Sequence, residues 1–138
     1  MALDTQLAID DKVRAFLEEK RFAVLATINE DGLPHQTVMW YELRGDHIMM
    51  NTKVSRVKHN NLSRDSRISI CVEDGYRFVT ISGVAQLNDD QAVGQADIHA
   101  LAVRYHGEEE GARQAEQFAK QQRVTILLPL SHVIVSGF

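Results

Sequence analysis

The middle of this chain is written in short strand-like runs separated by tight turn residues, a pattern that commits it to antiparallel sheet. Residues 22–28 form a short apolar run, and Asn29-Glu30-Asp31-Gly32 closes it with hairpin chemistry, Gly32 supplying a positive φ. Residues 35–43 alternate in polarity and carry the β-formers Thr37, Val38, Trp40 and Tyr41. Gly45-Asp46 then turns the chain into residues 47–52, completing a three-strand meander. Strand signals resume at residues 67–73, turn at Asp74-Gly75 and continue through 76–87. Gly83 inside that last run points to a bulge or a close backbone approach. Residues 124–128 and 133–135 read as two closing strands.

Helices interrupt the β pattern in four places. Ile9, Val13, Phe16 and Leu17 share one helical face, with Asp10 or Asp11 near the N-cap. Residues 53–65 read as a loop leading into a short helix, and Ser55 is the natural N-cap because its hydroxyl can accept from free first-turn amides. Asn88-Asp89-Asp90 opens a third helix whose apolar stripe is Ala92, Ala96, Ala100, Leu101 and Tyr105. A fourth follows the acids Glu108, Glu109 and Glu110, which suit the positive end of a helix dipole, and presents Ala112, Ala115, Phe118 and Ala119. The expected architecture is mainly β: a six-stranded antiparallel barrel with flanking helices, closure removing exposed sheet edges. No linker or repeat divides residues 1–138, so a single domain is expected.

Composition narrows the functional classes. The net charge is −4 and no basic tail is present, which argues against a nucleic-acid partner. One cysteine, Cys71, excludes an intramolecular disulfide and any multi-cysteine metal site; its neighbours Ile68, Ile70 and Val72 suggest a buried thiol. The six histidines are scattered without ligand spacing, so no metal is expected. Neither a glycine-rich phosphate loop nor a nucleophile elbow around Ser131 is present. The first dozen residues carry acids and no long apolar run, so a cytoplasmic protein without a membrane partner is expected.

One stretch departs from the acidic background. From Asn51 to Arg67 there are five basic residues (Lys53, Arg56, Lys58, Arg64, Arg67) against one acid, Asp65. That window is +4 and the remainder of the chain −8. Arg56 and Lys58 flank a helix start, where free amides and the dipole favour an anion, and Thr52 and Ser55 add hydroxyls. A phosphate-bearing small ligand would be held well there. A solvated basic face is the competing reading, and composition alone does not separate the two.

Order and spacing then carry a resemblance. Residues 22–28, Asp31-Gly-Leu-Pro-His-Gln-Thr-Val38, Ser55-Arg-Val-Lys-His-Asn-Asn-Leu62 with Arg64-Asp-Ser-Arg67, Gly83-Val-Ala-Gln-Leu87 and the closing residues 123–133 run in sequence. Together they resemble the pyridoxamine-phosphate-oxidase-like, FMN-binding split-barrel family, and within it the group that uses the deazaflavin coenzyme F-420. The resemblance implies a homodimer with a cofactor site at the subunit boundary. It implies that Arg56 and Lys58 meet the cofactor phosphate, with Thr52, Lys53, Ser55 and Val57 beside them and Asn61 bracing the turn. Gln36, Thr37 and Val38 would lie along the ring system, partly through backbone groups, with Met50 in the pocket wall and His35 nearby. The activity implied is hydride transfer between reduced F-420 and a small organic substrate. FMN is the alternative cofactor, and a non-catalytic flavin or deazaflavin carrier the alternative role. Such chemistry needs no side-chain nucleophile, and no catalytic residue stands out.

Overall fold

A computed structural model describes Thr5–Gln6 and residues 9–138; of the first dozen residues read above, 1–4, 7 and 8 lie outside the described residues. Among the described residues, ten strands and four helices follow in the order β1 (Thr5–Gln6), α1 (Asp11–Glu18), β2 (Ala23–Ile28), β3 (Pro34–Met39), β4 (Glu42–Arg44), β5 (His47–Lys53), α2 (Val57–Arg64), β6 (Arg67–Glu73), β7 (Phe78–Val84), β8 (Gln86–Asn88), α3 (Gln91–His106), α4 (Glu108–Phe118), β9 (Arg123–Pro129) and β10 (His132–Ser136).

The strands form two antiparallel sheets, of order β1-β10-β7-β6-β2-β3 and β4-β5-β9-β8. The mainly β, antiparallel architecture with flanking helices is as expected, but the described strands number more than six and divide between two sheets. Two of the sequence-read strands each divide, one at Trp40-Tyr41 between β3 and β4, the other at Ala85 between β7 and β8, and each break carries the chain from one sheet to the other. Tyr41 drives the first break: it is fully buried, and its hydroxyl donates to the Leu17 carbonyl at 2.9 Å. At the second, the Ala85 amide donates to the Ser66 carbonyl, outside either ladder.

Period-two alternation builds the core between the sheets. Leu25, Ile70, Val72, Val79 and Ile81 of the larger sheet meet Ile48, Met50, Ile126 and Leu128 of the smaller, and Val13, Phe16 and Leu17 of α1 join the same cluster. Each such side chain is worth roughly 1.5–3 kcal/mol on burial. Asp10 caps α1, its carboxylate accepting from the Val13 amide at 2.9 Å. The turn at Gly32 (φ +89°) is as the sequence requires, with the Gly32 amide donating to the Asn29 carbonyl.

Strand β5 is buried on both faces because α3 covers its outer side: Met49 packs with Ile98 and Leu101. The stripe expected on α3 is therefore rotated. The buried positions are Gly94, Asp97, Ile98, Leu101 and Ala102, while Ala92 and Ala96 are exposed. The reason is polar as much as apolar. Asp97 is tied down by the Thr125 hydroxyl (2.6 Å) and by Arg44 (2.7 Å), and Gly94 lets the helix approach the β9 backbone. Cys71 also needs correcting. It alternates with Ile70 and Val72, so it stands half-buried on the outer face of β6 and not in the core.

Candidate functional site

The chain leaves β5 at Lys53 and enters α2 at Val57 through a turn with no room for a cap. Ser55 adopts φ +78°, in the left-handed region, and is exposed. The N-cap position falls on Arg56, whose side chain makes no capping bond. The cap expected of Ser55 is thus absent, because the tight turn sets its backbone to enter the helix one residue later. The first-turn amides of α2 stay without a side-chain acceptor, which leaves the helix end receptive to an anion.

Beside that turn lies a cavity of about 280 Å³, lined by Val38, Met39 and Trp40 from the end of β3, Asn51, Thr52 and Lys53 from β5, Arg56 and Lys58 from α2, Ile98 and Leu101 from α3, Phe118 from α4, and Arg123 from β9. Of the residues singled out in the sequence, it brings together Val38, Thr52, Lys53, Arg56 and Lys58. Gln36, Thr37, Met50, Ser55, Val57 and Asn61 do not line it. Met50 is fully buried in the core between the sheets, because the outward row of β5 is Met49, Asn51 and Lys53. Asn61 is buried and braces α2 on β2: its amide donates to Thr27 Oγ1 (3.0 Å) and Asn29 Oδ1 (2.9 Å) and its carbonyl accepts from Arg64. Val57 is exposed.

Strand β3 is an edge of the larger sheet, so one row of its backbone amides and carbonyls lacks a strand partner. Gln36 and Val38 point to the outer face of that sheet, Val38 with 66% of its surface exposed. Thr37 and His35 point inward, and Thr37 Oγ1 and His35 Nδ1 are buried without a hydrogen-bond partner. An aromatic stack backs the cavity: Trp40 lies on Tyr105 (ring centroids 5.3 Å apart, 11° between planes), with Phe118 edge-on to Trp40 at 6.3 Å.

The cations at the cavity lack counter-ions. Among the described residues, Lys53, Arg56, Lys58 and Arg123 form no ion pair, although six other arginines do. Burial lowers the Lys58 pKa, and the neighbouring guanidinia of Arg56 and Arg123 lower it further. Burial, followed by Arg56, brings Arg123 down to about 10. A site that penalises its own positive charges in this way is complementary to an incoming anion.

Arg123 was the residue missed in the sequence, where it is only the head of an apolar run. Pairing of β5 with β9 puts it opposite Lys53, across 70 positions of chain. Asn51 and Phe118 were likewise not foreseen as lining residues.

Comparison with known proteins fits this geometry. A family model described as pyridoxamine 5'-phosphate oxidase matches residues 9–132. The solved structure of a conserved hypothetical protein from Mycobacterium tuberculosis superposes with TM-score 0.82 at 27% identity, covering 99% of this chain and 90% of that one. An F-420 reductase gives TM-score 0.72 at 22% identity over 94% of this chain and 100% of its own. A haem storage protein from Vibrio cholerae gives 0.72 at 18%, over 94% and 95%.

Proposed function

Because the chain belongs to the pyridoxamine 5'-phosphate oxidase family, we propose that it binds a flavin-type cofactor in the β3–α2 cavity and acts as a coenzyme F-420-dependent oxidoreductase. The observation that carries this reading is the convergence of four unpaired cations on one cavity beside an uncapped helix start and a free sheet edge. Each part suits one part of such a ligand. Arg56, Lys58 and the α2 amides take the phosphate. The free edge of β3 at Val38 and Met39 meets the ring edge, and the Trp40–Tyr105 stack supplies a flat apolar wall.

When bound, a reduced deazaflavin supplies the hydride. The chain's own tasks are to hold the phosphate, fix the ring against β3 and exclude water, so no side-chain nucleophile is required. The same fold carries both an F-420 reductase and a haem storage protein, so the fold does not choose the cofactor. The preference for F-420 over FMN rests on the surplus of positive charge, which suits a ligand with anionic groups beyond one phosphate.

The outer face of the larger sheet supports assembly as a homodimer. Val38, Val24, Cys71, Thr80 and Ile134 stand in one cross-strand row there. Since Val38 also lines the cavity, a second copy seated on this face would close the cofactor site at the subunit boundary. Titration of wild type, Lys58→Ala and Arg56→Ala with F-420 and with FMN tests the assignment. Each substitution is expected to weaken binding of the preferred cofactor by about 1.5–3 kcal/mol, as for a hydrogen bond to a charged group. Unchanged affinity in both variants would sink the phosphate site. Tight FMN retention without F-420 binding would replace the deazaflavin by FMN.

A further inference from the structure

The flat wall that Trp40 gives the cavity is not held by a sheet. Trp40 falls at the break where the chain leaves β3 and crosses to β4, so neither ladder fixes its backbone. Tyr41, the next residue, is anchored through its own hydroxyl on the Leu17 carbonyl. What meets the Trp40 ring is the last turn of α3. Tyr105 stacks on it with 11° between the planes, and Phe22 stacks on Tyr105 in turn, centroids 5.5 Å apart and 23° between planes. Among the described residues Phe22 and Trp40 form no ring pair with each other, so Tyr105 lies between them.

Both faces of Tyr105 are thereby taken by the protein, and Tyr105 does not line the cavity. Its hydroxyl is equally committed. It donates to the Arg21 carbonyl and accepts from the Tyr41 amide at 3.1 Å. One side chain therefore ties together the loop between α1 and β2, the sheet crossing beside Trp40, and the plane of the indole. Arg104 reinforces the junction: its guanidinium donates to the Glu18 and Glu19 carbonyls at 3.2 and 3.1 Å and lies 5.7 Å from the centre of the Tyr105 ring. A ring packed on both faces and bonded at its tip to two separate backbone segments has one orientation, and it imposes that orientation on the ring stacked against it. An indole fixed in advance receives a flat ligand without losing rotamer freedom on binding.

We propose that Tyr105 is a positioning residue for ligand recognition. It acts through Trp40, whose plane it holds, and so sets the affinity of the cavity for the planar ring of a ligand while leaving the anion held at α2 unaffected. This rests on the reading of Trp40 as the ring wall and adds the residue that makes the wall rigid. A Tyr105 that served only the fold would weaken ring and anion binding alike.

Wild type, Trp40→Leu, Tyr105→Leu and the double variant are titrated with FMN and with F-420, read by cofactor fluorescence, and with inorganic phosphate, read by competition against the tighter cofactor. Tyr105→Leu is expected to weaken the tighter cofactor about fivefold or more and phosphate less than about twofold. The double variant should bind the cofactor within about twofold of Trp40→Leu, because Tyr105 then has nothing to act through. Trp40 is the only tryptophan of the chain, and its emission in unliganded Tyr105→Leu should shift to the red and become more open to acrylamide quenching. Unchanged cofactor affinity or unchanged emission in Tyr105→Leu, an equal loss for phosphate, or a loss that persists undiminished in the Trp40→Leu background overturns the role of Tyr105. The Trp40 wall still stands in those cases if Trp40→Leu itself weakens the cofactor. Full cofactor affinity in Trp40→Leu, or no cofactor binding by wild type, overturns the wall and the proposal together. If Tyr105→Leu does not fold, Tyr105→Phe, which keeps the ring and loses both hydroxyl bonds, is expected to weaken the cofactor about twofold or more with the same red shift, and wild-type affinity and emission refute the role.

Discussion

Replacing Gly94 by alanine sets two effects of opposite sign against each other. Gly94 lies inside α3, where alanine is intrinsically better than glycine by about 1 kcal/mol. On propensity alone, Gly94→Ala stabilises the protein. The tertiary structure reverses this. A Cβ at Gly94 would come within 2.5 Å of the Arg123 carbonyl oxygen and 2.9 Å of its carbonyl carbon. These are backbone atoms of a strand paired with β5 along its whole length, so they cannot rotate aside. Relief requires α3 to lift from β9 by most of an ångström, and overpacking of this kind costs about 1–3 kcal/mol. The lift also stretches the bond from Asn51 Nδ2 to the Gly94 carbonyl, worth about 0.5–1.5 kcal/mol. The gain and the costs together leave a net loss of about 0.5–3.5 kcal/mol. For a chain of this size that lowers Tm by roughly 2–14 °C, measurable by calorimetry or circular dichroism. Because Asn51 Oδ1 accepts from Arg123 Nε and so orients it, the variant should also bind its anionic ligand more weakly. A Tm at or above that of wild type would refute the argument, since it would mean the helix had room for the methyl group.

Two further outcomes follow from the buried polar groups. Asn61→Ala removes the bonds to Thr27 and Asn29 and the acceptor for Arg64; with Thr27 only 1% exposed, urea unfolding should show a loss of about 2–3 kcal/mol, and a loss below about 0.5 kcal/mol would mean α2 is not anchored there. Tyr41 is raised to about 12, chiefly by burial. Its phenol stays protonated in the folded protein above the pH at which the unfolded chain releases that proton, so stability must fall as pH rises from about 10 through 12. Stability of wild type relative to Tyr41→Phe, measured across that window, should decline, and a flat difference would contradict the burial of the hydroxyl.

What the sequence determined by itself is local. The Gly32 turn, the runs that became β2, β5 and β6, an aspartate cap at residue 10 or 11 and the charge reversal at residues 51–67 all depend on neighbours a few positions apart, and all are present in the structure. Hydrophobic spacing could not decide which way a face turns when a second layer covers it. The alanines of α3 matched a stripe, yet the buried side is the one carrying Gly94 and Asp97, chosen by contact with β9 and by the Thr125 and Arg44 partners. Met50 was assigned to the pocket wall, but the cavity takes the alternate residue Asn51, because α3 rather than solvent lies outside β5.

The basic turn was thus legible in the sequence as a candidate phosphate site, but only as one half of the cavity. Its other half, Arg123, enters only through the pairing of β5 with β9. Register between strands 70 positions apart is fixed by the packing of both faces at once, and no local pattern of residues encodes it.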